Sequence, residues 1–135
     1  MHAHQLITPR LFSQIILNIC ARDTSADAKT WSSHNPLSGH CAVVALLAQE
    51  YFGGIIIRLS LDSVEGYAHF RSHYINRFSS GLDRDFTASQ FIARLPSNLP
   101  REIRNREQLL ANEDTRKRYE KFKSRFKAAA SLQKK

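Results

Sequence analysis

The stretch Gly39-His40-Cys41-Ala42-Val43-Val44-Ala45-Leu46-Leu47-Ala48-Gln49-Glu50-Tyr51-Phe52-Gly53-Gly54-Ile55-Ile56-Ile57-Arg58-Leu59-Ser60-Leu61 decides the fold. From Cys41 to Ala48 it is apolar on nearly every side, a pattern that a helix sustains only where protein surrounds it. Gly53-Gly54 stops that helix at Phe52. The β-branched run that begins abruptly at Ile55 predicts a strand over 55–61. A buried helix feeding a strand implies helix packed on sheet.

Downstream, Tyr67 to Phe78 and Leu82 to Thr87 read as two further strands joined across Ser79-Ser80-Gly81, a short turn of hairpin type. Ala88-Ser89-Gln90-Phe91 starts a helical turn, and Pro96 and Pro100 bracket an irregular link. Arg101 to Leu110 and Asp114 to Ala130 are rich in helix formers, and the second carries Tyr119, Phe122 and Phe126 as a stripe suited to docking on the rest of the chain. The Lys134-Lys135 end should fray. Upstream, Thr8 and Pro9 mark a helix start, and Leu11, Ile15, Ile16 and Ile19 recur at helical spacing, which predicts a helix to Arg22. Asp23 to Gly39 lacks such periodicity and reads as an ordered loop pinned by Trp31. The expected class is α+β: a buried Cys-bearing helix on a small antiparallel sheet, with a helical C-terminus.

At 135 residues and 42% hydrophobic composition, one domain over 1–135 is expected. The longest strongly apolar run, Ala42 to Ala48, is far short of the roughly 20 residues a membrane span needs. Met1-His2-Ala3-His4-Gln5-Leu6 does not read as a secretory leader, so a cytoplasmic setting is the default. There Cys20 and Cys41 stay thiols, and their spacing does not resemble a metal site. No metal or cofactor is called for. Residues 101–135 hold 12 Lys or Arg against 5 Asp or Glu, which accounts for most of the net charge of +8. Such a segment suits an acidic partner or nucleic acid, or is simply a solvated face.

Cys41 opens the buried helix, where free backbone N–H groups favour a thiolate; read more simply, it is a small buried hydrophobe. A hairpin turning near Ser80 pairs positions summing to about 160, which sets His73 and Asp85 on one face as diagonal neighbours. In that register Asp85 holds the imidazole in one tautomer while His73 takes the thiol proton. The plainer alternatives are an Asp85 paired with Arg84 or Arg77 and a surface His73. His69 shares the parity of His73 and is its rival for the base.

Trp31, Asn35-Pro36, Gly39-His40-Cys41-Ala42-Val43 with Ala45-Leu46, Tyr51-Phe52-Gly53-Gly54, Ser72-His73-Tyr74-Ile75-Asn76-Arg77, and Asp85-Phe86-Thr87 with Gln90-Phe91 follow one another in an order that resembles the YunG-type proteins of bacteria. These look like part of the wider papain/transglutaminase-like superfamily. The resemblance implies a helix-borne Cys41, a strand-borne His73 and a next-strand Asp85. The Cys41, His73 and Asp85 constellation itself suggests a hydrolase or acyltransferase that attacks an amide, thioester or ester through a Cys41 acyl-enzyme. The alternative is an inactive fold serving as a binding or nucleic-acid-associated accessory protein. Two positions depart from the pattern. Ile75 stands where an aromatic residue is expected, and His40 stands where Gln usually precedes the cysteine, making the His40 ring the oxyanion-hole candidate.

Overall fold

Thr8 accepts a hydrogen bond from the Leu11 amide at 3.1 Å, and with Pro9 at the first helical position this fixes the start of helix α1, Pro9–Ile19. The computed structural model describes residues 6–91 and 93–132; the expectations for Met1–Gln5 and for Lys134-Lys135 lie outside the described residues. α1 buries Phe12, Ile15 and Ile16, and stops short of the expected Arg22 because Cys20 turns extended and Arg22–Thr24 form a single 3-10 turn. Trp31 does pin the following loop: its indole N–H donates to the Pro36 carbonyl at 2.9 Å.

Helix α2, Cys41–Phe52, has Val43 to Ala48 buried without a break, as its all-round apolar sequence requires. Four strands form the sheet: β1 (Ile55–Ser60), β2 (Ser72–Arg77), β3 (Asp83–Arg84) and β4 (Arg101–Arg104), in the order β3-β2-β1-β4 with every pair antiparallel. Helices α3 (Arg106–Leu110) and α4 (Glu113–Leu132) follow. The architecture is α+β. One face of the sheet packs on α2, Ile56 joining the core that α2 shares with α1 and α4, and the Asn76 amide donates to the Ala45 carbonyl of α2 at 3.0 Å. On the other face Ile57, Leu59 and Ile75 pack with Leu61 and Leu99. Among the described residues no helix is long and apolar enough to cross a membrane.

Three further expected elements differ. The strand predicted from Tyr67 begins only at Ser72, because Tyr67 and Phe70 spend their rings on Phe91, at centroid separations of 4.9 and 6.3 Å, and Ala68–Phe70 close a 3-10 turn. The strand predicted over Leu82 to Thr87 pairs only at Asp83–Arg84. There the Asp85 carboxylate accepts from the Thr87 amide at 3.1 Å, an Asx turn that ends the ladder. The start of the predicted helix 101–110 is instead edge strand β4, with Ile103 opposite Ile57. Asn105 and Gln108 then form a reciprocal capping box that starts α3.

Candidate active site

Cys41 is the first residue of α2, and no side chain caps that helix end. Its backbone N–H groups and the positive end of the helix therefore lie beside a half-buried thiol. Cys20, by contrast, is buried at the end of α1, and burial pushes its thiol up to about 12.

His73 and Asp85 meet as the hairpin register requires. Asn76 faces Arg84 and Arg77 faces Asp83, so position 73 falls diagonal to position 85. The His73 Nε2–Asp85 Oδ2 distance is 2.7 Å, and the ring is fully buried. An ionised carboxylate only accepts, so Nε2 carries the proton and Nδ1 of the neutral ring presents its lone pair. Nδ1 is buried and forms no hydrogen bond of good geometry with a described residue. The Cys41 thiol is the second group that acts on the ring. Burial would lower the imidazole pKa, but the hydrogen bond to Asp85 and the interaction with Cys41 together outweigh it and raise it to about 9. Phe91 covers the ring edge-on, 4.9 Å between centroids.

A groove of about 510 Å³ opens over Cys41 and His73. It runs past Ser72 and Tyr74, where β2 extends beyond two-residue β3, so three consecutive strand residues line it. Phe70 and Phe91, 6.3 Å apart between ring centroids, line it together, and Asp27, Gln108 and Asn112 are among its polar lining residues. His69 also lines the groove, but it sits on the 3-10 turn against Phe70, 4.0 Å between ring centroids, and forms no hydrogen bond or ion pair with Asp85. Of the two histidines, His73 is the one that hydrogen-bonds Asp85. Among the described residues, no cluster of three or more His, Cys, Asp or Glu is arranged to hold a metal ion.

His40 requires a correction. Its ring is fully buried and is absent from the groove lining; Nδ1 is 2.9 Å from the Ser38 carbonyl, Nε2 is 2.7 Å from the Thr24 hydroxyl, and the ring packs on Phe122. Since a carbonyl only accepts, Nδ1 donates and Nε2 accepts from Thr24, which leaves no ring N–H for an oxyanion. Burial pushes its pKa down to about 4.

Gln90 does what the sequence did not announce. Its side-chain oxygen accepts from the Gly39 amide at 3.3 Å, and its NH2 donates to Thr87 Oγ1 at 3.1 Å. The Thr87 hydroxyl in turn donates to Asp85 Oδ1. One side chain thereby ties the loop entering α2 to the carboxylate that orients His73. In the sequence, Gln90-Phe91 carries only its share of a resemblance, because a 51-residue separation from Gly39 leaves no local signal.

A family model described as YunG protein matches residues 8–131. The chain belongs to the YunG family. It is 36% identical over 63 residues to a Bacillus subtilis (strain 168) protein described as "Uncharacterized protein YunG", an alignment covering 47% of this chain and 48% of that one. The match thus spans about half the length of that curated YunG relative. No solved structure matches the chain.

Proposed function

We propose that this YunG-family chain is a cysteine hydrolase or acyltransferase, of papain/transglutaminase-like arrangement, that acts on an amide, thioester or ester through Cys41. The observation that carries the proposal is the 2.7 Å His73–Asp85 hydrogen bond, which engages Nε2 and leaves Nδ1 as the nitrogen that can exchange a proton with the helix-start thiol in the same groove. His73 takes the thiol proton. The thiolate attacks the carbonyl carbon, and the C=O electron pair moves to oxygen. Backbone N–H groups at the start of α2 stabilise that oxyanion in place of the His40 ring. Collapse expels the leaving group, which takes the proton from the imidazolium, and leaves a Cys41 thioester. Water or an amine then gives a proton to His73 and attacks the thioester, and the departing thiolate recovers that proton.

Two free cysteines fit a reducing, cytoplasmic setting for this chemistry. The test is p-nitrophenyl acetate, with released nitrophenol followed by absorbance and the protein by peptide mass spectrometry. The expected result is a burst with an acetyl group on the Cys41 peptide, absent in Cys41→Ser and strongly reduced in His73→Ala. Acetylation that spares Cys41, or that is indifferent to His73, would turn the assignment toward an inactive fold acting as a binding protein.

A further inference from the structure

The chain carries 20 Lys and Arg against 12 Asp and Glu. Among the described residues eight of the twelve acids pair with Lys, Arg or His, namely Asp23, Glu50, Asp83, Asp85, Glu102, Glu113, Asp114 and Glu120. Of the four that do not, Asp27, Asp62, Glu65 and Glu107, only Asp27 lines the groove.

The position of Asp27 is built, not incidental. The Ala26 amide donates to the Gly39 carbonyl at 2.9 Å, the Ser25 hydroxyl donates to the Ser38 carbonyl at 2.8 Å, and the Asp27 amide donates to Ser25 Oγ at 3.0 Å. Gly39 packs so closely on this turn that a Cβ there would lie 2.9 Å from the Asp27 nitrogen. The turn is therefore fastened to the backbone two residues before Cys41. Thr30 donates to one carboxylate oxygen, Oδ2. Of the nearby cations, Lys29 is exposed to solvent, and the two arginines are engaged elsewhere. Arg22 donates to the Ala28 carbonyl and lies over the Trp31 ring. Arg118, which also lines the groove, is held by Asp114, Thr115 and the Thr24 carbonyl.

We infer that Asp27 forms a subsite for an ammonium or guanidinium group, so that the substrate is an acyl compound bearing a cation that reaches Asp27 in the groove. This rests on Cys41 being the nucleophile. A carboxylate in a partly enclosed groove interacts with a cation more strongly than it would on an open surface, and Gln108 and Asn112 add neutral hydrogen-bonding groups to the groove lining.

The test uses methanethiosulfonates, whose attack by a thiolate forms a mixed disulfide and releases methanesulfinate. Second-order rate constants for Cys41 are measured at low salt with the cationic trimethylammonioethyl reagent, the anionic sulfonatoethyl reagent and the neutral methyl reagent, with the site read by peptide mass. Asp27→Asn keeps the side-chain shape and its hydrogen bond with Thr30. It should lower the cation-to-anion rate ratio by about three- to tenfold and leave the neutral rate nearly unchanged, and added salt should shrink the difference. Asp62→Asn and Glu65→Gln, unpaired acids outside the groove, should leave the ratio alone. If Cys41 reacts readily with the neutral reagent but Asp27→Asn does not move the ratio, the cation subsite is wrong and the nucleophile stands. If Cys41 resists the neutral reagent as well, the nucleophile fails and the subsite falls with it.

Discussion

His73 and His40 are both fully buried, yet their pKa values move in opposite directions, because one ring faces a carboxylate and the other faces only a carbonyl and a hydroxyl. For His73 the folded-state pKa rises from 6.5 to about 9, so its contribution to stability is complete below pH 6.5 and is lost as pH rises through about 9. For His40 the folded value falls from 6.5 to about 4, so the unfolded chain takes up a proton first and stability declines as pH falls from 6.5 through 4. Urea midpoints measured across this range should therefore fall off on both sides. His40→Gln should flatten the acid limb, worth about 3 kcal/mol at most, and His73→Ala the alkaline one; limbs unchanged in these variants would refute the assignments. Alkylation gives an independent measure. Limiting iodoacetamide should modify Cys41 and spare Cys20, and His73→Ala should slow the Cys41 reaction at neutral pH by about tenfold or more. Asp85→Asn should slow it less, since the base remains, and His69→Ala should have little effect. Equal labelling of the two cysteines, or a rate insensitive to His73, would count against the thiolate–imidazolium pair.

The junction between α2 and β1 turns on Gly54, whose φ is +76° and where an added Cβ would lie 2.1 Å from the Arg77 carbonyl oxygen. Gly53 has a similar φ of +72° but nothing within 4 Å. Gly53→Ala should thus suffer backbone strain alone, whereas Gly54→Ala adds a collision with β2 and should lose about 2 kcal/mol more in denaturant titrations. Equal losses would mean that the β1–β2 approach has room to relax. This junction was legible in the sequence, because an uninterrupted apolar helix, two glycines and a β-branched run each carry a local signal. So was the hairpin register, since the position of the turn fixes the pairing, and with it the His73–Asp85 contact. What escaped local reading depended on tertiary partners. Arg101–Arg104 contain helix formers and become a strand because β1 offers an edge, and Tyr67 and Phe70 look like strand residues but serve Phe91. The side chain of His40 was misread for the same reason: its sequence position is beside Cys41, but its ring belongs to the contact between Thr24 and Phe122.

Across the molecule, the basic C-terminal segment is less of a free cationic surface than its composition suggests. Arg125 pairs with Asp23 at 2.6 Å, Lys123 with Glu50 at 2.8 Å and Arg101 with Asp83 at 3.2 Å, so acids from the preceding chain answer the excess of the tail. Being partly exposed, each such pair contributes only about 0–1 kcal/mol, yet together they spread the charge that a phosphate backbone would need concentrated. DNA and RNA should accordingly bind more weakly than about 1 μM at physiological salt; tighter binding that falls steeply with salt would show a real nucleic-acid face. The same segment is structural, since Tyr119, Phe122 and Phe126 of α4 are buried against α1 and α2. That packing bears on the order in which a growing chain acquires its chemistry. Cys41 leaves the ribosome first, His73 and Asp85 later, and the α4 aromatics that complete the core around α2 last of all. On the proposed function, a half-made chain therefore lacks the group that would activate Cys41, because the His73 imidazole reaches the thiol only once the hairpin has closed and the helix has docked.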